Sequence, residues 1–438
     1  MKSLMMIVYM LLSTLCLAVE QLDTELLKLI KESDLRPLKA AKKKSRALIT
    51  LGANLFSERE MSGPRDISCM DCHHPALGTG DELAFSIGTG GVGVGVRRVQ
   101  NKAGVTKRHA PHLLNLDFSD IENMFWDGRV HYNNKTKVLT TPEASINGKK
   151  PRRHDVARLL NSSLAAQSIF PLTSHLEMRG HSGNDLAEAK SNQEVWRRVV
   201  KRLVNKKVTK EHSYVNLFKK AYPEIEKVKH FNIGHVGQAL AGFMGEQFTA
   251  VDTPYDRYLD GDVTAMSRVE KKGLKVFLTR GQCIKCHTGR HLSDFDFKSV
   301  GTPQLGVVGT DSFSDKGRFE VTGKKIDQFK FRTPALRNLS LTAPYMHNGA
   351  FVNIEEVVEH YSNVKTSLAN YKIPDIYQEQ YNSKMLVDDD KVRNKLRVNL
   401  ISIDPIRRGL NLTEVEKSDL VAFLKTGLLD FRFQKKRK

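Results

Sequence analysis

Apolar residues recur three and four positions apart in several separated stretches, while strand-like alternation is scarce, so the pattern predicts a mainly α protein. Glu20 to Leu51 reads as helical and highly charged. Residues 194–205 (Glu-Val-Trp-Arg-Arg-Val-Val-Lys-Arg-Leu-Val-Asn) divide into an apolar and a basic helical face. Phe231 to Phe248 carries the same period, Thr253-Pro254 stops it, and Tyr255 to Asp262 reads as a turn-rich link. Val269 to Leu278 predicts a further helix, just ahead of a cysteine pair. Thr413-Glu414-Val415-Glu416 has the spacing of a capping box and opens a helix through Leu424. Residues 130–165 are polar and irregular and read as an inserted loop. Gly88 to Gly95 is Gly-rich, but no buried strand precedes it and no helical pattern follows; it reads as a flexible loop rather than a phosphate cradle.

With 438 residues the chain predicts about two or three domains. A composition of 40% hydrophobic and 27% charged residues is that of a soluble globular protein. The start differs from the rest. Lys2, the nearly continuous apolar run Leu4 to Leu17, and small residues at Cys16 and Ala18 predict a signal peptide over 1–18 and export to the periplasm. Leu15 before Cys16 is larger than lipoprotein processing usually accepts, so acylation of Cys16 ranks below simple cleavage. No later stretch has the ~18 uninterrupted apolar residues of a membrane span, so no integral membrane segment is expected. The net charge of +20 peaks at Lys149–Arg153, Arg197–Lys210 and Lys435–Lys438. Such charge usually suits nucleic acid. Export argues against that partner and leaves an acidic protein, an anionic membrane surface, or simple solvation of each run.

Cleavage removes Cys16 and leaves four cysteines, all within Cys69-Met70-Asp71-Cys72-His73 and Cys283-Ile284-Lys285-Cys286-His287. A C-x-x-C pair alone can be a zinc or redox motif. Here a histidine follows each pair at once in an exported chain, which fits covalent attachment of two c-type haems: the thiols add to vinyl groups and the adjacent imidazole ligates iron. His73 and His287 are then the proximal ligands. A Cys2His2 zinc site or two redox disulfides are the bland alternatives. The motifs lie 214 residues apart, too far for a solenoid repeat, and suggest two cytochrome-c-like haem domains, 19–255 and 256–438.

Several further segments occur in one order: Leu51-Gly52-Ala53-Asn54-Leu55-Phe56, Ala110-Pro111-His112-Leu113-Leu114-Asn115, Phe125-Trp126-Asp127-Gly128-Arg129 and Leu176-Glu177-Met178. Tyr255-Asp256-Arg257-Tyr258-Leu259, Phe331-Arg332-Thr333-Pro334-Ala335-Leu336-Arg337-Asn338 and Leu341 to Gly349 complete the set. Together with the two haem motifs they resemble the bacterial di-haem cytochrome c peroxidases, including the methylamine-utilisation protein MauG, over nearly all of the mature chain.

The resemblance implies reductive cleavage of hydrogen peroxide at the first haem, with the second passing or storing electrons. Electrons would come from a small redox protein, a cytochrome c or a cupredoxin; in MauG-type members the oxidising equivalents go to a protein substrate instead. Glu177 and Gln167 match the family's acid–base Glu and its companion Gln, and Trp126 matches the tryptophan between the haems. Many family members place a distal His in the loop after the first motif; the matching stretch Leu83 to Val96 has none, with Thr89 or Gly90 near that place. His74 and, more distantly, His109 are the other candidates, so an open distal site is the leading expectation. The sixth ligand of the second haem, Met in peroxidases and Tyr in MauG, falls at Tyr361, with Met346, His347 and His360 as rivals. A calcium ion between the haems would be held by backbone carbonyls matching Thr342 and Pro344, but the family's Asn ligand is His109 here, and calcium prefers oxygen. The alternative from another class is a non-catalytic di-haem electron-transfer cytochrome.

Overall fold

The computed structural model describes residues 21–40, 43–100, 104–206, 213–381, 385–388 and 390–434. The expected signal peptide and the terminal basic run 435–438 lie outside the described residues. Nine of the helices among the described residues position the two sites: α1 (21–32), α2 (Arg46–Phe56), α3 (Asn192–Asn205), α4 (Tyr214–Ala221), α5 (Ile233–Gln247), α6 (Pro254–Leu259), α7 (Arg268–Leu278), α8 (Ile354–Ser362) and α9 (Glu414–Ala422). None of the described helices is long and apolar enough to cross a membrane.

Two helix pairs organise the molecule, and they are built alike. In the first half α2 crosses α5 at Gly52, where an added Cβ would come within 2.1 Å of the Ala239 carbonyl oxygen. In the second half α7 crosses α9 at Gly273, where an added Cβ would lie 2.0 Å from the Asp419 carbonyl oxygen. One turn after each glycine a phenylalanine fills the crossing. Phe56 packs on Phe243 and Phe248 at 5.2 and 5.7 Å between ring centroids, and Phe277 on Phe423 at 5.5 Å. Gly273→Ala sets two effects against each other: Ala gains about 0.5–1 kcal/mol in a helix interior, but overpacking costs typically 1–3 kcal/mol. With backbone as the obstacle the second wins. The variant should unfold at lower denaturant concentration than wild type; an equal or higher midpoint would refute the close-approach reading.

The charged stretch Glu20 to Leu51 is not one helix. Residues 35–40 and 43–45 are non-helical, and Pro37 among them lacks an N–H and pushes its predecessor out of helical geometry. The freed segment crosses to the other half of the molecule. Leu26, Ile30 and Leu35 join the core of Tyr255, Leu274, Phe277, Leu420 and Phe423. Polar ties reinforce this: Lys271 Nζ meets Asp23 at 2.7 Å, and Tyr258 OH donates to Asp23 at 2.8 Å. The expected link Tyr255 to Asp262 is largely helix α6. Thr253 Oγ1 accepts the Asp256 N–H and Pro254 sits at the first position, so this pair starts α6, whereas α5 has already ended at Gln247 with Phe248 as its cap.

Strands are short. β1 (Gly91–Val92) and β2 (Val99–Gln100) turn the Gly-rich segment into a hairpin. β3 (Asn123–Met124), β4 (Val130–Asn133) and β5 (Val138–Thr140) form an antiparallel sheet in antiparallel register, so the first part of the expected inserted loop is a sheet. β6 (Phe297–Lys298) pairs with β8 (Phe331–Arg332), and β7 (Leu305–Val307) with β9 (Met385–Val387).

The halves interlock through a third apolar cluster, in which Leu83, Phe85 and Ile87 meet Leu305, Val307, Phe351, Tyr377 and Tyr381. Within the second half a buried ion pair braces the fold. Arg337 Nη2 lies 2.6 Å from Asp256 Oδ1, and Nε 2.9 Å from Oδ2, with both side chains at most 3% exposed. Asp256 also accepts the Leu38 N–H and the Thr253 hydroxyl, and Arg337 also donates to the Arg290 carbonyl.

Candidate active site

Each cysteine motif opens onto its own cavity. Cys69 to Cys72 form one helical turn, capped because Asp71 accepts both the Ser68 N–H and its hydroxyl at 2.8 and 2.7 Å. His73 follows and donates Nδ1–H to the Thr79 carbonyl at 3.2 Å. In the second motif Cys283 to Lys285 form a tighter turn, and His287 donates Nδ1–H to the Leu292 carbonyl at 3.0 Å. A carbonyl only accepts, so both imidazoles carry their proton on Nδ1 and keep Nε2 for a metal. The four cysteines are unpaired, and burial pushes the Cys69 and Cys283 thiols up to about 12 and Cys286 to about 11. Among the described residues no three His, Cys, Asp or Glu side chains converge as a metal cluster. The donors therefore fit a haem tethered by thioethers and held by one imidazole at each motif better than they fit zinc or redox disulfides.

The first cavity, about 1040 Å³ including its mouth, brings Cys69, Cys72 and His73 together with Gln167, Glu177 and Trp126. Gln167 ends the short helix Ser163–Gln167, and its Oε1 is buried with no hydrogen-bond partner among the described residues. Glu177 sits in the π-helical turn His175–Arg179, whose cap Ser174 accepts the Glu177 N–H. Burial raises the Glu177 pKa, against the opposing pull of the Arg129 guanidinium, which lines the same cavity. The Gly-rich segment lies against this turn. Thr89 N–H donates to the Glu177 carbonyl, and an added Cβ on Gly88 would be 1.7 Å from the Leu176 oxygen. A glycine is thus required where that backbone passes.

Ser86 and Gly88 bring the Leu83 to Val96 segment to the cavity without a histidine. Thr89 and Gly90 do not line it; Gly90 N–H is bound to Asp66. His74 caps the next turn through the Ala76 N–H and also lies outside the lining. His109 does line the cavity, with Nδ1 donating to the Leu83 carbonyl at 2.7 Å.

The second cavity, about 1480 Å³ including its mouth, gathers Cys283, Cys286, His287 and Tyr361. Tyr361 lies in the last turn of α8, which Asn353 caps, and burial, then the nearby thiols, push its phenol above the ordinary range. Met346 and His347 share the cavity. His360 does not: its two nitrogens are bound to Ser367 and the Val300 carbonyl.

Trp126, His109 and Pro111 line both cavities and so form the wall between them. Trp126 Nε1–H donates to the His109 carbonyl at 2.8 Å, and its own carbonyl accepts the Arg332 N–H at 2.7 Å. Thr342 and Pro344 also line the second cavity. They do not make a calcium site with His109, whose imidazole offers nitrogen to an ion that takes six to eight oxygens and already spends Nδ1–H on Leu83.

Sequence reasoning missed the charged groups around this wall. Arg108 Nη1 reaches Asp127 at 2.5 Å and Nε reaches Asp315 at 2.6 Å, tying the first cavity to the second half. Burial opposes ionisation of Asp127, yet Arg129 and Arg108 hold it down to about 2. Arg332 and His112 line the second cavity. Their sole signal was membership of quoted segments, Phe331 to Asn338 and Ala110 to Asn115.

A family model described as di-haem cytochrome c peroxidase matches residues 46–264. Cytochrome c551 peroxidase of Pseudomonas aeruginosa is 28% identical over 318 residues, covering 72% of this chain and 71% of that protein. Methylamine utilization protein MauG of Methylorubrum extorquens is 28% identical over 313 residues, covering 72% and 68%. Two solved structures share the fold. One is a MauG-like protein associated with microbial copper homeostasis, with a TM-score of 0.60 at 22% identity, covering 92% of this chain and 95% of that one. The other is the diheme peroxidase BthA from Burkholderia thailandensis, with a TM-score of 0.58 at 18% identity, covering 92% of each chain.

Proposed function

The chain belongs to the di-haem cytochrome c peroxidase family and is an oxidoreductase acting on peroxide, and on that premise we propose that it is a periplasmic enzyme reducing hydrogen peroxide in the cavity of His73. The observation that carries the reading is that Glu177 and Gln167 share that cavity with His73, although 104 and 94 residues, respectively, separate them from it in sequence.

Two haems c, attached at Cys69/Cys72 and Cys283/Cys286 with His73 and His287 as ligands, supply the redox chemistry when bound. The protein supplies position and protons. Gln167 Oε1 accepts a hydrogen bond from a peroxide O–H and orients it. Glu177 takes the proton of the inner oxygen and returns it to the outer one, so that water can leave. Its raised pKa brings a buried carboxylate nearer to working pH. Trp126, in the wall shared by the cavities, relays electrons from the second site to the first. Tyr361 would help hold the haem at the His287 site through its phenol oxygen, a donor that would favour oxidised iron where Met would raise the potential. The halves 19–255 and 256–438 each carry one haem, behind a leader of residues 1–18, and the donor is a small cytochrome c or cupredoxin meeting the basic surface. A protein side chain is the alternative source of electrons, as the similarity to MauG suggests. The competing reading, a di-haem electron carrier without catalysis, leaves Glu177 and Gln167 without a task.

Two measurements test this. The haem-loaded protein should oxidise a reduced cytochrome c or cupredoxin only when peroxide is added; two six-coordinate haems indifferent to peroxide, even after reduction, would leave the electron carrier. In Tyr361→Phe the low-spin electron paramagnetic resonance signal of the second haem should change. An unchanged signal would assign the ligand to Met346 or His347.

A further inference from the structure

We propose that the polar end of the second cavity, where Arg332 and His112 lie, is a built-in seat for haem propionates, with Arg332 as its positive charge, taking the place of a calcium ion between the two sites. The inference rests on the di-haem reading above.

Arg332 is 7% exposed. Its Nε donates to the Phe125 carbonyl at 3.3 Å, its guanidinium lies 5.5 Å from the Phe295 ring centroid, and its Nη1 has no hydrogen-bond partner among the described residues. Burial lowers its pKa to about 10, so it stays charged at neutral pH, and among the described residues no acid forms an ion pair with it. The acids around it are committed elsewhere. Asp127 pairs with Arg108 and Arg129, Asp315 with Arg108, and Asp256 with Arg337. A buried guanidinium in that position needs an anion.

His112 Nδ1 is likewise buried without a partner among the described residues, and Arg332 lies close enough for its charge to act on the ring. His347, stacked on Phe331 at 3.5 Å between ring centroids, leaves Nε2 in the same condition. Three unspent nitrogens thus line one cavity, the one that holds Cys283, Cys286 and His287. A haem attached there brings two carboxylates, and the planar guanidinium fork matches a carboxylate in two-point geometry. A divalent cation in this place would meet the uncompensated Arg332 charge and the His109 nitrogen where it needs oxygen.

The test uses the resting haem-loaded protein, without peroxide, so a failed peroxidase activity leaves it intact. Metal analysis should find far less than one calcium per chain, and a chelator should leave the optical spectrum and unfolding midpoint unchanged. In Arg332→Gln the second haem's reduced-to-oxidised ratio at fixed potential should fall about tenfold, a midpoint lowered by about 59 mV for one electron; Arg332→Lys should recover most of it. One tightly held calcium, whose removal alters the spectrum, overturns the proposal. So does an unshifted potential in a folded Arg332→Gln with both haems attached. Should Arg332→Gln not fold, His109→Asn decides: added calcium should raise its unfolding midpoint and not that of wild type, and equal stabilisation of both overturns the proposal.

Discussion

Glu177→Gln should lower peroxide turnover by about 10²–10⁴-fold, the usual contribution of a positioned acid–base group, while both haems remain attached. The amide fills the same space and keeps one acceptor, so binding should change far less than turnover. The reason lies in the cavity. Gln167 can orient a peroxide but cannot take a proton; of the carboxylates lining the cavity, Asp127 and Glu320 are ion-paired with Arg108, Arg129 and Lys107, which leaves Glu177 for that task. The pH profile adds a sign. Glu177 must be ionised to accept the inner proton, and its pKa is raised by burial. Turnover should therefore fall as pH drops through a value above the ordinary Glu range, and that acid limb should vanish in the variant. Stopped-flow mixing with peroxide measures both. Retention of more than a tenth of wild-type turnover would remove Glu177 from the mechanism.

Arg337→Leu should cost about 3–5 kcal/mol of stability, the range for stripping one partner from a buried ion pair. Asp256 would keep its charge at 2% exposure, with only the Leu38 N–H and the Thr253 hydroxyl left to solvate it. A surface pair such as Arg36 with Asp34, at 70% and 75% side-chain exposure, should give a change near zero when broken. Denaturant unfolding of the two variants side by side reads the contrast. Amide exchange at Leu38 should quicken in Arg337→Leu, because its acceptor loses the group that fixes it. A loss under about 1 kcal/mol would mean that water reaches the pair.

The site was legible in the sequence to different depths. The cysteine motifs were plain because thioether attachment and proximal ligation are local chemistry, confined to five consecutive residues. Glu177, Gln167, Trp126 and Tyr361 have no local mark; they were found by their order along the chain. The structure brings the first three to one cavity and Tyr361 to the other. His360 illustrates the limit: one residue from Tyr361, its nitrogens are consumed by Ser367 and Val300, which no spacing rule indicates. Helices α3, α5, α7 and α9 were readable from periodicity within one or two residues. Strands β3 to β5 were not, because two to four residues are too few to show alternation, and polar turn residues outnumber them. The pairing of α1 with the second core and the lone charge of Arg332 depend on contacts far apart in sequence, where pattern carries no information.

The crossing of α1 has a consequence for biogenesis. During synthesis the helix of residues 21–32 emerges well before its partners: Tyr258, Lys271 and Phe277 follow more than two hundred residues later, and Phe423 later still. Until then Leu26 and Ile30 have no counterpart to cover them. The first half can condense from α2 to α5 as it appears, but closure of the second must wait for the helix of residues 21–32, made well before its partners, to find them, so a segment made early is secured late.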